Sequence, residues 1–331
     1  MGETMDLDRY ASMTYRRCGR SGLRLPAISF GLWQGTGSYV DDAATRSIVH
    51  TAFEHGITHF DLANNYGNPA GASEALFGRI LRGMPRHELV ISSKAGYYMW
   101  PGPYGEGGSR KHLLESCEQS LRRLGVDHVD IFYSHRFDPD TPLEETLGAL
   151  DALVRQGKAI YAGISSYAEP QFSAALQVVR ARNLAPITIH QPRYSMLDRN
   201  AEIDVLPTAG KEGVGVIGFS PLAQGQLTAK YLGGIPDDSR AVLNKGNGAL
   251  TPDRLTAPLI AKLKALNDLA KARGQSLAQM ALAWLLKDQR LTSVLIGASK
   301  PEQVGECVGC LANLSFDAAE LAAIDRILGT R

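Results

Sequence analysis

Short apolar runs alternate with amphipathic segments along most of the chain. Eight of the apolar runs are rich in β-branched residues and lack polar alternation, a pattern typical of strands that are covered on both faces. They lie at residues 27–33, 57–62, 89–94, 129–133, 159–164, 187–191, 214–220 and 293–297. Apolar residues at helical spacing predict helices between nearly all of these strands. The helices are expected at residues 42–55, 72–81, 110–124, from 142 onward, 170–183, just before 213, 254–273, 276–287 and 300–311, with a last one at 317–328.

This order of elements predicts an α/β fold, a single (β/α)8 TIM barrel with an N-terminal β-hairpin and extra C-terminal helices. The hairpin is expected at residues 14–26, where two short runs flank a Gly-Arg-Ser-Gly turn. We assign residues 1–13 to a polar tail and residues 14–331 to one barrel domain. The rival fold is a doubly wound sheet, which a G-x-G-x-x-G match at Gly213, Gly215 and Gly218 would favour. We treat the match as chance, because these glycines precede and enter a strand instead of following one.

Three sequences predict where helices begin. Ser109 is an N-cap residue for the helix that ends at Gly125. The T-P-L-E sequence that begins at Thr141 predicts a capping box with proline at the first helical position. Ser299 with Glu302 predicts a second capping box, and Lys300 then lies in the first turn, where a cation opposes the helix dipole. An anion bound at this helix N-terminus would explain the lysine, and an ordinary capped surface helix is the alternative.

Composition and charge exclude several classes of protein. The 331 residues carry a formal net charge of +1, so we expect no bulk attraction to nucleic acid or to an anionic membrane. No window approaches eighteen consecutive apolar residues, which predicts no membrane span. The N-terminal residues lack the apolar core of a secretory signal, so we expect a cytoplasmic protein. Cys307 and Cys310 form the one close cysteine pair, but no second pair or histidine cluster completes four ligands, and we predict no metal site.

Titratable side chains collect at the carboxyl ends of the predicted strands. Asp61 ends the second strand and is followed by Tyr66, Lys94 ends the third, and His135 follows the fourth. In a parallel barrel these ends share one rim, which is where active sites lie. A buried aspartate is costly unless a cation meets it, and Lys94 on the neighbouring strand is within reach. The later strand ends are also polar or aromatic, at Ser165, Ser166, His190, Gln191, Phe219 and Ser220.

These four side chains predict a proton-donating site for a carbonyl that receives a hydride. The charge of Lys94 would favour phenolate and lower the pKa of Tyr66 from about 10 toward neutrality. His135 could orient or polarise the carbonyl oxygen. Each residue alone has a simpler explanation, as a structural ion pair, a turn tyrosine or a hydrogen-bonded histidine. The functional interpretation depends on their convergence on one rim.

The same residues resemble the motifs of the aldo-keto reductase superfamily. The segment from Phe60 to Gly67 is similar to its Asp…Tyr signature, and the sequences around Lys94 and His135 are similar to its lysine and histidine motifs. The likeness extends from about residue 14 to the final helix. It implies NADPH as cofactor, Tyr66 as proton donor, Asp61 and Lys94 as the residues that tune it, and His135 as the residue that orients the carbonyl.

The resemblance also implies ligand contacts. Ser165 and Gln191 match positions that hold the nicotinamide amide, and Phe219 matches the aromatic residue that stacks on its ring. Further implied cofactor contacts are Trp33, Ser220, Leu222, Gln224, Gly225, Lys230, Arg240, Gly297, Ser299, Lys300, Gln303 and Glu306. We name Trp33, Tyr66, Tyr97 and Trp100 as walls of a substrate pocket, with Arg136 as a residue for a phosphate group.

Two positions depart from the family pattern. Cys307 stands where relatives carry an asparagine that contacts adenine, which predicts weaker adenine affinity or a weaker preference for NADPH. Ser166 replaces a common asparagine beside the carboxamide.

The sequences W-P-G-P-Y-G at residues 100–105, G-G-S-R-K at 107–111 and S-V-L-I-G-A-S at 293–299 resemble those of bacterial L-glyceraldehyde 3-phosphate reductases. Within the family, the chain is also similar to β subunits of voltage-gated potassium channels. The leading hypothesis is therefore NADPH-dependent reduction of small aldehydes, such as L-glyceraldehyde 3-phosphate or methylglyoxal, by a homo-oligomer (tetramer or octamer). A slow or non-catalytic NADPH-sensing subunit is the second hypothesis. The third is a Schiff-base lyase that uses Lys94, although a lysine paired with Asp61 would stay protonated and be a poor nucleophile.

Overall fold

A closed barrel of eight parallel strands lies at the centre of the computed structural model, which describes residues 8–33, 41–243 and 248–329. An antiparallel hairpin, β1 and β2, precedes it. The ten strands are β1 Tyr15–Arg17, β2 Arg24–Pro26, β3 Ile28–Gly31, β4 His59–Asp61, β5 Val90–Ala95, β6 Val129–Ser134, β7 Ala159–Ser165, β8 Ile187–Gln191, β9 Gly215–Phe219 and β10 Ser293–Ile296. The barrel closes in the order β10-β3-β4-β5-β6-β7-β8-β9. The predicted (β/α)8 barrel is confirmed, and the doubly wound sheet is wrong because β10 pairs with β3.

Helices cover the outside of the barrel. Those described are α1 Asp8–Ala11, α2 Asp42–Glu54, α3 Ala72–Leu81, α4 Arg110–Leu124, α5 Leu143–Arg155, α6 Glu169–Ala181, α7 Asn200–Ile203, α8 Val205–Glu212, α9 Ala257–Ala272, α10 Leu277–Leu286, α11 Pro301–Val308 and α12 Ala318–Leu328. Short 3-10 turns lie at Arg86–Glu88, Ala223–Gly225, Ala229–Tyr231, Pro252–Arg254 and Gly309–Ala312. Consecutive helices from α3 to α6 pack against one another, and α12 packs on α9 beyond the repeat.

Two apolar layers hold the barrel together. Residues that point outward, such as Phe60 and Phe132, are fully buried against the helices. Residues that point inward, such as Ile131, Ile189 and Ile217, fill the interior, as expected for a packed barrel and not a pore. Because both faces of each strand are covered, the sequence pattern of continuous apolar runs follows directly.

The hairpin closes the amino-terminal end of the barrel. Cys18, Leu23 and Leu25 pack against the inward-pointing strand residues, and the backbone N–H of Arg20 donates to the Gly213 carbonyl at 2.9 Å. The carboxyl ends of the strands are therefore the open end.

The glycines of the G-x-G-x-x-G match have structural roles. Gly213 ends α8 in a left-handed conformation with φ of 69°, which favours glycine. Gly215 begins β9, where an added Cβ would lie 2.1 Å from the sulfur of Cys18. Neither glycine opens a helix after a strand, so this match does not form a nucleotide-binding loop.

The capping box expected at Thr141 is wrong. Helix α5 begins at Leu143 with Pro142 at the N-cap, and no side chain caps it. The hydroxyl of Thr141 instead donates to the Asp138 carboxylate at 2.7 Å. A tight turn around Asp138 therefore competes for the group that the capping box needs.

The capping box expected at Ser299 is also wrong. Lys300 is the N-cap residue of α11, again without a side-chain cap. The backbone N–H and hydroxyl of Ser299 donate to Oε1 of Gln303, at 2.8 Å and 3.2 Å. The N-cap expected at Ser109 is observed. Ser276 and Asp317 also cap helices, and each of the three side chains accepts a backbone N–H.

Part of the expected N-terminal tail packs on the barrel. Residues Asp8–Ala11 form a short helix, the Arg9 guanidinium lies 4.3 Å from the centroid of the Phe53 ring, and the Tyr10 hydroxyl donates to Glu88. The division of the chain at residue 13 stays a prediction. None of the helices in the described part of the chain is long and apolar enough to cross a bilayer.

The four cysteines are buried free thiols. Cys307 and Cys310 belong to the outer apolar layer, and burial raises the pKa of the Cys307 thiol to about 12. Within the described ranges, no group of three or more metal-ligating side chains comes together.

Candidate active site

Two neighbouring strands bring the predicted ion pair together. Asp61 is the last residue of β4 and pairs in register with Ser92 of β5, two residues before Lys94. The Lys94 Nζ donates to Oδ2 of Asp61 at 2.5 Å, and both side chains are completely buried. Burying two charges is tolerated here because each meets its counter-ion and further hydrogen bonds.

Each atom of this ion pair has a defined partner. The Lys94 Nζ also donates to the Leu62 carbonyl at 2.6 Å and to the Tyr66 hydroxyl at 3.4 Å. The Asp61 Oδ1 accepts from the Ser92 hydroxyl at 2.6 Å and from Gln191 Nε2 at 3.2 Å. The three N–H bonds of the ammonium therefore point at the carboxylate, a carbonyl and the phenol.

The pKa of Tyr66 moves opposite to the direction expected from sequence. Burial raises the pKa of Tyr66 well above its usual value, and the charges of Asp61 and Tyr97 add to this. Lys94 cannot lower it as expected, because the Asp61 carboxylate lies beside it and offsets its field. Burial also lowers the pKa of Lys94, against the opposing effect of Asp61. Tyr66 is therefore held as a protonated phenol.

His135 completes the group as a neutral imidazole. Its pKa is held well below its usual value by burial, and the charges of Lys94 and Arg136 act in the same direction. Its ring lies edge-on to Tyr66 with centroids 5.7 Å apart, and edge-on to Tyr97 at 4.7 Å. Its Nδ1 is buried without a hydrogen-bond partner among the described residues. A neutral imidazole has one N–H that it can donate to a carbonyl oxygen.

A cleft of about 720 Å³ opens over these residues, a size typical of small-molecule sites. It runs from the rim that carries Asp61 and Tyr66 to the start of α11. Of the residues predicted from sequence, those that line it are Trp33, Asp61, Tyr66, Tyr97, His135, Ser165, Gln191, Phe219, Ser220, Leu222, Gln224, Gly225, Lys230, Arg240, Gly297, Ser299, Gln303 and Glu306. Lys94 lies behind Asp61 and Tyr66, and Lys300 is exposed at the N-cap of α11.

Trp100 and Arg136 are not among the residues that line the cleft. The Trp100 ring packs against His112 at 5.2 Å between centroids. Arg136 donates to the Gly96 carbonyl and to Glu106, both at 3.0 Å. Arg136 therefore supports the rim loop from outside the cleft.

The middle of the cleft is shaped by three strand ends. The Ser165 hydroxyl donates to the Gln191 carbonyl at 2.9 Å, which leaves the Ser165 oxygen able to accept one more bond. Phe219, at the end of β9, presents a flat aromatic face. Asn65 also lines the cleft, and its buried Oδ1 has no partner among the described residues. A planar amide-bearing ring would satisfy these groups.

The outer half of the cleft is built for an anion. Arg240 Nη1 donates to Gln224 Oε1 at 2.7 Å, and Gln224 Nε2 donates to the Ser220 hydroxyl at 3.0 Å. Lys230 also lines the cleft, and its side chain is exposed. An aromatic face at one end and cations at the other fit a nicotinamide dinucleotide.

Sequence reasoning missed Arg193 as a lining residue. Its backbone forms a bridge with Phe219, and its guanidinium lies 5.7 Å from the centroid of the Phe219 ring. Its side chain is exposed in the cleft. Arg193 lies two residues after the end of β8 at Gln191. Its position just beyond the carboxyl end of a predicted strand could therefore have identified it as a candidate.

Backbone strain at the strand ends was also missed. Ser166 and Ser220 follow the last residues of β7 and β9 with φ of 57° and 55°, and Gln224 has φ of 62°. Left-handed backbone is unfavourable for these residues by roughly 1–2 kcal/mol each. All three line the cleft, which is where such strain usually gathers.

The site combines a buried Asp–Lys pair, a neighbouring phenol and a long cleft at the open end of the barrel. These features indicate an oxidoreductase with a (β/α)8 barrel fold. Residues 27–328 match the model of the Aldo/keto reductase family. The chain belongs to this family, whose members use NAD(P)H.

Relatives of known name are similar over nearly the whole chain. The L-glyceraldehyde 3-phosphate reductase of Escherichia coli (strain K12) is 54% identical over 325 residues, which cover 96% of this chain and 93% of that protein. A probable voltage-gated potassium channel subunit beta of Arabidopsis thaliana is 37% identical over 302 residues, which cover 89% of this chain and 90% of that protein. Among solved structures, the thermostable aldo-keto reductase Tm1743 in complex with the inhibitor epalrestat is similar with a TM-score of 0.75. It is 28% identical, and the match covers 95% of this chain and 100% of that one.

Proposed function

We propose that the protein reduces small aldehydes to alcohols with NADPH, and that Tyr66 donates the proton. The observation that carries the proposal is the Lys94 ammonium, which lies 2.5 Å from Asp61 and 3.4 Å from the Tyr66 hydroxyl beneath an open cleft. A structural ion pair would not need a phenol in contact with it.

NADPH, when bound, supplies the hydride, and the protein's own residues manage the proton. His135 donates its N–H to the carbonyl oxygen and places that oxygen near the Tyr66 hydroxyl. As negative charge develops on the oxygen, Tyr66 transfers its proton, and the adjacent Lys94 ammonium stabilises the phenolate that remains. The raised pKa of Tyr66 does not oppose this step, because an alkoxide is a stronger base than any phenolate.

The choice of NADPH over NADH rests on the outer end of the cleft. Lys230 and Arg240 supply positive charge there, and Ser299 and Gln303 supply polar groups, which together suit an extra phosphate on the adenosine. Cys307 also lines this end and offers a weak donor in place of an amide. A panel of aldehydes with NADPH and with NADH tests this choice, and equal kcat/KM values would contradict it.

The substrates we propose are L-glyceraldehyde 3-phosphate, methylglyoxal or similar aldehydes. The name of the 54% identical relative supports the phosphorylated one. Trp33 and Tyr97 wall the inner end of the cleft. Arg136 would have to leave Glu106 before it could bind a phosphate, whereas Arg193 already faces the cleft.

Replacing Tyr66 with phenylalanine tests the proton donor. We expect kcat to fall about 10²- to 10⁴-fold, the usual contribution of a positioned general acid, while the Kd for NADPH changes less than about twofold. The matched control is Tyr98→Phe, because Tyr98 is 58% exposed and does not line the cleft. A Tyr66→Phe variant that reduces aldehydes at the wild-type rate would disprove the assignment.

A slow NADPH-sensing subunit is the second function that we consider, because the Arabidopsis relative is named as a potassium channel subunit. All four catalytic side chains are present here, which favours turnover. Single-turnover oxidation of bound NADPH by a small aldehyde separates the two functions. A rate far below the roughly 1 s⁻¹ at the low end of typical enzyme turnover would support the sensor.

A Schiff-base lyase is disfavoured by the position of Lys94. Its Nζ is completely buried and donates to Asp61, Leu62 and Tyr66, so it has no free lone pair and no access to substrate. Finally, we expect a cytoplasmic homo-oligomer, which sedimentation of the purified protein and fractionation of the source cells would check.

A further inference from the structure

A line of buried polar side chains crosses the barrel interior beneath the cleft. The Ser293 and Ser29 hydroxyls are 2.7 Å apart, and Ser29 lies 2.9 Å from Nδ1 of His59. The Nε2 of His59 is 3.0 Å from the Ser92 hydroxyl, which donates to Asp61 at 2.6 Å. The five residues come from the neighbouring strands β10, β3, β4 and β5, and each is completely buried.

The direction of every bond near the carboxylate follows from its chemistry. An ionised carboxylate only accepts hydrogen bonds, so the Ser92 proton points to Asp61. The Ser92 oxygen must then accept from Nε2–H of His59, which leaves Nδ1 to accept from the Ser29 hydroxyl. His59 is thereby fixed as the neutral Nε2–H tautomer. Burial lowers the pKa of His59 to about 4, which keeps the ring neutral at ordinary pH.

The line of hydrogen bonds ends at Oδ1 of Asp61, the carboxylate oxygen that does not accept from Lys94. Ser92 and Gln191 hold Oδ1 of Asp61, and Lys94 binds Oδ2. The rotation of the carboxylate is thus set from the barrel interior, and its rotation decides where the Lys94 ammonium lies.

We propose that His59 is a positioning residue for the catalytic ion pair. Its Nε2–H donates to the Ser92 hydroxyl, and that hydroxyl orients the Asp61 carboxylate. The carboxylate in turn fixes the position of the Lys94 ammonium and its contact with Tyr66. The proposal deepens the proposed function, since it concerns the same site. Hydrogen bonds that form a chain in a water-free interior strengthen one another. Without the N–H of His59, the Ser92 hydroxyl would lose the bond that fixes its orientation.

The chain offers a matched control in His190. This histidine is also completely buried on a barrel strand, but neither ring nitrogen has a hydrogen-bond partner among the described residues. It packs against Phe172 at 4.7 Å between centroids. Damage to the core alone should therefore affect variants of His59 and His190 alike.

The first experiment does not depend on aldehyde reduction. Imidazole ¹⁵N chemical shifts of the purified protein are measured between pH 6 and 8, with His59→Gln used to assign the signal. We expect a neutral ring with the proton on Nε2 throughout. A proton on Nδ1, or an imidazolium at pH 6, would overturn the proposal whether or not the protein reduces aldehydes.

The second experiment measures kcat, the KM for methylglyoxal and the Kd for NADPH. In His59→Phe, kcat should fall about tenfold or more, the usual consequence of a small misplacement of catalytic groups, while KM and Kd stay within about twofold. His59→Gln should restore most of kcat, because its amide can donate to Ser92 and accept from Ser29. His190→Phe should keep the wild-type kcat.

Each other outcome has a definite meaning. Wild-type kcat in His59→Phe, or equal losses in His59→Phe and His190→Phe, would overturn the proposal, and so would failure of His59→Gln to restore kcat. If His59→Phe does not fold, Ser92→Ala takes its place with the same expected loss. If the wild type does not oxidise NADPH with any aldehyde, the proposed function fails, and the NMR result still decides the state of His59.

Discussion

The buried histidine His190, whose ring nitrogens have no hydrogen-bond partner among the described residues, makes the stability of the protein depend on pH in a way that can be calculated. Burial lowers its pKa to about 3, against about 6.5 in an unfolded chain. Below pH 6.5 the unfolded state therefore binds a proton that the folded state excludes until the pH approaches 3, and stability is lost as the pH falls through this window. At pH 5 the loss is about 2 kcal/mol, since each pH unit contributes about 1.4 kcal/mol. This value depends only on the unfolded-state pKa.

The test compares His190→Phe with the wild type. The free energy of unfolding in urea is measured at pH 7.5 and pH 5.0, and its drop between the two should be about 2 kcal/mol smaller in the variant. His59, whose pKa is also lowered by burial, contributes equally to both proteins and cancels. His87→Phe is the control, because the His87 side chain is 80% exposed and should leave the drop unchanged. Equal drops in His190→Phe and the wild type would refute the reasoning.

Two further substitutions test the rim and the cleft. Asp61→Asn removes the counter-ion of Lys94, so the free energy of unfolding, measured in urea, should fall by about 3–5 kcal/mol. The pKa of Lys94, already lowered by burial, should fall further and move the alkaline limb of kcat to lower pH, and an unchanged limb would contradict this role. Arg193→Gln removes a cation beside Phe219, so the Kd for NADPH or the KM for a phosphorylated aldehyde should rise about tenfold, equivalent to about 1.4 kcal/mol. Fluorescence titration and kinetics with methylglyoxal as the uncharged control separate the two, and no change in either would exclude Arg193 from the site.

The barrel and the Asp61–Lys94 contact were predictable because both follow from local patterns. Apolar runs without polar alternation locate the strands, and adjacent parallel strands bring their carboxyl ends to one rim. The observed strands agree with the predicted runs to within two residues at each end. The contact between the last residue of β4 and the penultimate residue of β5 needs only this neighbour relation.

The errors arose where the sequence leaves more than one partner or backbone conformation open. The Thr141 hydroxyl had two possible partners, and the turn at Asp138 took it. The role of Arg193 depends on the pairing of its backbone with Phe219, across the β8–β9 boundary. The left-handed serines after β7 and β9 leave no mark in the sequence, since serine is not selected by such a conformation as glycine is.

The wrong direction for the pKa of Tyr66 has a chemical consequence. The sequence-based prediction counted only the charge of Lys94, whereas in the folded chain the Asp61 carboxylate lies against that cation and burial withdraws the phenol from water. A tyrosine with a pKa near neutrality would be partly phenolate before any substrate arrived, and that fraction could not donate a proton. A tyrosine with a raised pKa stays fully protonated and releases its proton only to a strong base. In the reaction that we propose, the alkoxide that forms as a carbonyl accepts a hydride would be such a base, so the buried Asp61–Lys94 pair would make proton release dependent on the reaction itself.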